Sequence, residues 1–310
     1  MHGTLSYAQL DTGNYFNIAR DLSWLNQKNE EVTSRDGHVY AYICDITIAS
    51  DVATFVNLFT APNTWKMRNS FRKWHAYRDM MFSEAGVTES EKGRYGKTIR
   101  PYLNNAMKSA TLKQPIVVDG TGTPTLGDWT YTEIAATPGF AEGAVGTEGG
   151  SIVDTYDLSI CGLNEVSSTT TLGTERYSNV GMIHSYNQDR MEVVTPSAGE
   201  SIEGQNNPLA LLRYKGASAG EVMDIVHDQE TEFPPYDIRD NGDSVYPVYE
   251  ALTQMSPGWD GTNSIPTVRV LKNVLIPAGV CLLTASVAGS ADASAIQIKC
   301  VGKVLCKDLA

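Results

Sequence analysis

His38 to Ala49 reads HVYAYICDITIA: β-branched and aromatic residues throughout, no glycine or proline, and Asp45 as the only acidic side chain. Such a run suits a pleated, half-buried strand, where branched and aromatic side chains pack well against cross-strand neighbours. Asp51 to Thr60 continues in the same style and reads as a second strand. The 37 residues before this pair are mixed and turn-rich, and no element is assigned to them. Beyond residue 114 the strand signal returns at Pro115 to Asp119, Asp128 to Ala136 and Ser151 to Cys161. It recurs at Val180 to Tyr186, Arg190 to Thr195, Glu221 to His227, Thr267 to Ile276, Val280 to Val287 and Ala295 to Cys306. Polar or glycine-rich loops separate these runs, notably Pro138 to Gly150, Thr195 to Asn207 and Glu230 to Ser244. Many short strands with long loops and few helices predict antiparallel sandwiches or jelly rolls.

One region departs from this pattern. Asn63 and Thr64 are good helix caps, and Met67, Phe71, Trp74, Met81 and Ala85 recur at helical spacing until Gly86 supplies a stop. Thr88 and Glu91 form a capping-box pattern for a second, short helix. Pro101 opens a third, with Leu103, Ala106, Met107 and Ala110 on one side. Residues 63–110 therefore read as a helical insertion in the first half of a mainly β chain.

At 310 residues the chain exceeds one ordinary sandwich, and two halves match the common domain size. A closing strand at Ser151 to Cys161 and a polar run at Glu165 to Thr171 put the expected division near residue 165. The first unit would span 1–165 and the second 166–310. Two barrels diverged beyond sequence identity, or two unrelated domains, fit this pattern equally.

The formal charge is -12, which argues against a general nucleic-acid binder, since counterion release needs a surplus of Lys and Arg on the contacting face. The charge is unevenly spread. Between Trp65 and Lys113 there are 11 basic and 4 acidic residues, a segment of +7; the remainder, with 13 and 32, is -19. A basic segment on an acidic body predicts electrostatic self-pairing. With Met67, Phe71, Trp74 and Met81 turned toward their own barrel, Arg68, Arg72, Lys73 and Arg78 are expected to face outward as an inter-subunit surface.

Catalytic signals are missing from the sequence. The five histidines, His2, His38, His75, His184 and His227, stand apart from one another and from Cys or Glu at metal-ligand spacing. There is no GxSxG, GxxxxGK[ST] or HExxH, and the glycines of Gly143 to Gly150 lack the strand and helix that a dinucleotide turn requires. Asp237, Asp240 and Asp243 are the weak candidates for a calcium loop, but Arg239 sits where an EF-hand needs a ligand, and a solvated acidic turn explains them better. No cofactor is expected. Cys44, Cys161, Cys281, Cys300 and Cys306 form no CxxC pair, and Cys300 and Cys306, about 20 Å apart along one strand, cannot bridge. Buried free thiols of a reducing cytoplasm are the expectation.

Met1 to Asp11 lacks the basic and apolar regions of a secretory signal, so export by that route is not indicated. The uncharged stretch Asn273 to Ala291 is interrupted by Pro277, Gly279 and Gly289, and reads as two strands joined by a type I turn at Ile276 to Gly279.

The segment FRKWHAYRDMMFSEAG, Phe71 to Gly86, followed by GRYGKTIRPYL, Gly93 to Leu103, resembles capsid proteins of small tailless bacteriophages. The size and two-part β organisation are similar to the double jelly-roll major capsid proteins of internal-membrane phages, including the lipid-containing phages of Flavobacterium. The local match covers about a tenth of the chain. The resemblance implies two jelly rolls side by side, a homotrimer of pseudo-hexagonal outline, and an icosahedral lattice of trimers around a lipid vesicle. It also implies contacts with penton, minor capsid or membrane proteins, assembly in the host cytoplasm, residence in the virion, no enzymatic activity and no sequence-specific nucleic-acid binding. A carbohydrate-binding or adhesin-like sandwich is the rival, with Trp129 and Trp259 as its aromatic candidates.

Overall fold

A computed structural model describes residues 3–8, 13–50, 54–88, 90–93, 98–116, 129–135, 155–168, 175–191, 248–255, 258–259, 264–265, 267–287 and 294–309. The chain is mainly β, with several antiparallel sheets. Its strands are β1 Thr4–Ala8, β2 Asn14–Asn17, β3 Tyr40–Ser50, β4 Thr54–Thr60, β5 Glu133–Ala135, β6 Thr155–Ser159 and β7 Glu165–Ser168. They continue with β8 Glu175–Gly181, β9 Val248–Met255, β10 Gly258–Trp259, β11 Ser264–Ile265, β12 Thr267–Pro277, β13 Val280–Val287 and β14 Ser294–Leu305. The helices are α1 Ile18–Asn26, α2 Trp65–Glu84, α3 Asn105–Ser109 and α4 Met182–Met191, with a 3-10 turn at Cys306–Leu309.

Two four-stranded antiparallel sheets carry the core, in the orders β1-β14-β3-β12 and β2-β13-β4-β9. Their pairings nest. The first strand pairs with the last, β2 with β13, β3 with β12 and β4 with β9. The additional pairs β14 with β3 and β13 with β4 join these hairpins into sheets. Strands from residues 4–60 and 248–305 thus alternate within both sheets, and the division expected near residue 165 does not separate them. Local periodicity says which face of a strand is buried but not which distant strand it pairs with, so this interleaving left no local trace.

Inward residues of the first sheet, Leu5 and Tyr7 on β1, Ile46 and Ile48 on β3, and Ile296 and Ile298 on β14, share one cluster with Phe16, Val56, Leu58 and Cys281 of the second. Tyr7 meets Phe16 edge to face with centroids 4.8 Å apart, which ties the two sheets together near their start. The first sheet keeps the alternation of a one-sided sheet, with Thr4, Ser6 and Ala8 exposed. The second is covered on both sides at β2, all four of whose residues are buried. Its cover comes from residues between the fourth and fifth core strands: Tyr15 donates its hydroxyl to Asn104 Oδ1 at 3.0 Å, and Lys113 N donates to Tyr15 O.

A buried polar cluster fixes α1 beneath the sheets. Asn17 caps the helix by accepting from Arg20 N at 3.0 Å. Asp21 then accepts from the Tyr7 hydroxyl at 2.6 Å and from Arg20 Nε at 2.8 Å, while Arg20 also donates to Lys113 O at 2.7 Å. Burial raises the Asp21 carboxyl above its ordinary range despite the Arg20 charge.

The third sheet, β5-β6-β8-β7, lies within the segment between β4 and β9 and contains one parallel pair, β6 with β8. Several local expectations change here. Of the strand expected at Val180 to Tyr186, Val180 and Gly181 close β8 and the rest lies in α4, whose Ile183 and Tyr186 mimic strand composition; of Arg190 to Thr195, residues 192–195 lie outside the described residues. Asp128 to Ala136 contributes only the short β5. Thr88 and Glu91 make one half of a capping box, Thr88 N donating to Glu91 Oε2 at 2.7 Å, but Glu91 N donates to Thr88 O, and among the described residues they close a turn. The third helix starts at Asn105, capped by Asn104, and not at Pro101. At Ile276 to Gly279 the chain turns from one sheet to the other with positive φ at Ala278 and Gly279, which a type I turn does not have. The expected strands at residues 115–119 and 221–227 fall wholly or largely outside the described residues.

Exposed Gln27 ends α1 in the left-handed region, φ 46. Gln27→Gly should stabilise the protein by about 0.5–1 kcal/mol, because glycine adopts that conformation without the Cβ clash. Ile46→Ala, which opens a cavity between the sheets, should cost about 2–5 kcal/mol. Urea unfolding monitored by tryptophan fluorescence distinguishes the two.

Candidate assembly surface

Helix α2 begins where the sequence predicts, Thr64 accepting from Met67 N at 3.3 Å, and it stops before Gly86, φ 72. Met67, Phe71 and Trp74 are fully buried, and Tyr77 joins them. Its basic side chains do not form the outward face expected. Lys73 is buried, forms an ion pair with Asp189 on α4, and lies 5.8 Å from the Tyr186 ring centre. Arg68 is half-buried and donates to Cys306 O at 3.3 Å. Arg78 donates to Thr98 O at 2.7 Å and covers the Phe82 ring; burial lowers its pKa from the ordinary value. Arg72 is half-buried near His38, whose pKa burial lowers, helped by Lys307 and Arg72.

The reason is that α2 has neighbours on more than one side. Besides the core it meets α4 and the 3-10 turn after β14. Trp65 packs edge to face on Tyr186, and Asn69 donates to its hydroxyl. On the opposite flank, Gly37, φ 77, presses on His75: a Cβ there would stand 2.6 Å from the histidine Cβ. A helical wheel locates one buried stripe, and nothing in the α2 sequence announces the acidic partner on α4.

Asp237, Asp240 and Asp243 lie outside the described residues. Among those described, no group of three or more His, Cys, Asp or Glu side chains is placed to hold a metal ion. Trp129 is partly buried, with the Arg100 guanidinium 4.1 Å above its ring centre, so that face is occupied; for Trp259 only the backbone is described.

What the sequence reading missed is the outer face of the first sheet. In β12 the pattern Val268-Arg269-Val270 suggests inward valines. Instead Val268 opposes Ala49 and Val270 opposes Thr47, on the face away from the core, and they are 56 % and 47 % exposed. A bulge between Leu271 and Val274 inserts one residue, after which Val274 and Ile276 point inward. Asn273, φ 57, sits in that bulge and donates its N–H to Asp45 Oδ1 at 2.9 Å. The exposed valines share this face with the exposed Ala295 and Gln297 of β14 and Ser6 of β1, and Lys299, opposite Asp45, brings charge to its end near the bulge.

Comparison of the chain with protein-family models, curated proteins and solved structures gives no match.

Lys73→Ala removes the cation paired with the buried Asp189 and should cost about 3–5 kcal/mol, whereas Lys73→Met with Asp189→Leu should recover most of that loss. Arg72→Ala should stay within about 0.5 kcal/mol of the parent. Denaturant midpoints measure all three. His38, held below 6.5 in the folded chain, contributes stability above that pH and loses it as pH falls. The melting temperature should therefore drop on acidification, and His38→Gln should remove part of the slope.

Proposed function

We propose that this chain is a structural protein of a virus shell, built on a single jelly roll formed by its two ends, and that it acts by assembling with copies of itself. The observation that carries this reading is the nested pairing of first strand with eighth, second with seventh, third with sixth and fourth with fifth. A long hairpin folded over so that these pairs fall alternately into two facing sheets is a jelly roll, an architecture shared by capsid and lectin domains. Residues 61–247 then form an insertion between its fourth and fifth strands. The double barrel implied by the resemblance to internal-membrane phages is not needed to account for these sheets.

Three further observations favour a shell protein over the lectin-like alternative. The first sheet presents Val268 and Val270 on its edge strand β12, apolar surface of the sort that second copies cover. Arg100 already covers Trp129. The basic residues of α2 are used within the chain, which leaves the surface acidic on balance and unsuited to packing nucleic acid directly. The unit of assembly is a homotrimer tiling an icosahedral lattice, and the enclosed membrane follows from the resemblance alone.

Light scattering and negative-stain microscopy of the purified chain test this. Trimers, sheets or closed shells are the expected outcome, and a monomer that persists at high concentration across salt conditions overturns it. Val268→Glu with Val270→Glu should leave the melting temperature nearly unchanged and abolish the larger assemblies.

A further inference from the structure

We propose that Cys44 and Cys300 form a reversible redox site, at which a small-molecule disulfide such as oxidised glutathione closes a bridge between β3 and β14. The two residues are directly opposed in the antiparallel register and both are free thiols. Their placement in the ladder favours a bridge. Cys300 N donates to Gly3 O at 2.6 Å, and a Cβ on Gly3 would meet Cys300 O at 2.7 Å, so both polar backbone groups of Cys300 face Gly3, just ahead of β1. The pair with Cys44 on the other side is therefore a non-hydrogen-bonded one, in which Cα atoms approach to about 4.5 Å and side chains lie closest. Disulfides span Cα separations of about 4.4–6.8 Å, so closure needs no large backbone movement.

The chemistry of the two thiols is complementary. They share a hydrogen bond, which holds Cys300 below the ordinary thiol range and, with burial, pushes Cys44 above it. Cys300 is half-exposed and Cys44 fully buried. Cys300 is thus the attacking thiolate and Cys44 the resolving thiol. The Cys300 thiolate attacks one sulfur of oxidised glutathione, forming a mixed disulfide and expelling a glutathione thiolate. Cys44 gives up its proton to that thiolate and attacks the Cys300 sulfur, releasing the second glutathione, which is protonated from water as the Cys300 proton was first lost to it. Two protein thiols are oxidised, and one glutathione disulfide is reduced to two thiols. Cys161, Cys281 and Cys306 are buried without such a partner, and burial pushes each up to about 12, so they react slowly.

The folded protein is incubated with oxidised glutathione, then denatured, alkylated and analysed by mass spectrometry. Free thiols should fall from five to three, with a peptide linking Cys44 to Cys300 and no retained glutathione. Cys44→Ala should stop at a single glutathione on Cys300, Cys300→Ala should take up none, and Cys306→Ala should behave as the parent. Circular dichroism establishes that each variant is folded, with Cys300→Ser replacing Cys300→Ala if it is not. Five retained thiols, a glutathione left on Cys300 of the parent chain, or a bridge through another cysteine would each overturn the proposal.

Discussion

Every central strand of the core depends on a partner more than 190 residues away. β3 lies between β14 and β12, and β13 lies between β2 and β4, so neither sheet has a complete interior strand until both ends of the chain are present. Cross-strand pairs such as Ile46 with Ile298 and Leu58 with Leu283 bring residues at opposite ends of the chain together. The entropy of closing such loops rises only slowly with their length, so the arrangement is thermodynamically tolerable. Kinetically it is demanding, because non-local pairing must form before burial rewards it. During synthesis the apolar faces of β3 and β4 wait for β12 to β14.

The insertion between β4 and β9 is attached by polar bonds as much as by apolar contact. Arg20 reaches Lys113 O, Tyr15 reaches Asn104, Asn17 reaches the Tyr131 hydroxyl, and Arg68 reaches Cys306 O. Each of these groups is wholly or partly buried, so losing one partner leaves the other unsatisfied, at about 1–3 kcal/mol apiece. The bonds set a unique seat for the insertion where apolar packing alone would allow sliding. The same logic explains why the +7 segment does not project. Its charges are distributed to carbonyl groups, to Asp189 and over the rings of Tyr186 and Phe82, and a desolvated cation with such partners is fixed in orientation.

Individual elements were legible wherever side-chain pattern and environment agree. β3, β12, β13 and β14 are rich in branched residues, and α2 has a Thr cap, an apolar stripe and a terminal glycine; all lie within a few residues of where the sequence places them. β1 was missed although Leu5 and Tyr7 alternate with Thr4, Ser6 and Ala8, because five residues between unassigned stretches give a weak signal. The start of α4 carries a strand signal because Met182, Ile183 and Tyr186 suit either state, and its helical form is settled by packing on α2. Pairing order was not legible, since it resides in contacts between segments and in no segment by itself. The candidate site suffered from the same limit: Lys73 is a surface residue on a helical wheel and becomes a buried one only when α4 arrives with Asp189.

Bulges on both sides of β3 converge on Cys44. On β12 the extra residue falls between the partners of Ile46 and Cys44, and on β14 it falls just after the partner of Cys44, at Val301. A bulge increases local twist and bends its strand; two at the same level, one in each neighbour, bend the whole sheet there. Beyond the bend, residues 41–43 stay paired to both neighbours, with Ala41 and Tyr42 buried, and the strand also holds the loop before it, Tyr40 N donating to Val32 O and the Tyr42 hydroxyl to Glu31 O. On the near side, residues 46–50 keep the regular alternation that packs Ile46 and Ile48 inward. One inserted residue in β12 therefore does two things at once. It turns Val274 and Ile276 into core, and it leaves Val268 and Val270 on the outside, so the apolar outer face is a consequence of the same backbone irregularity that closes the core.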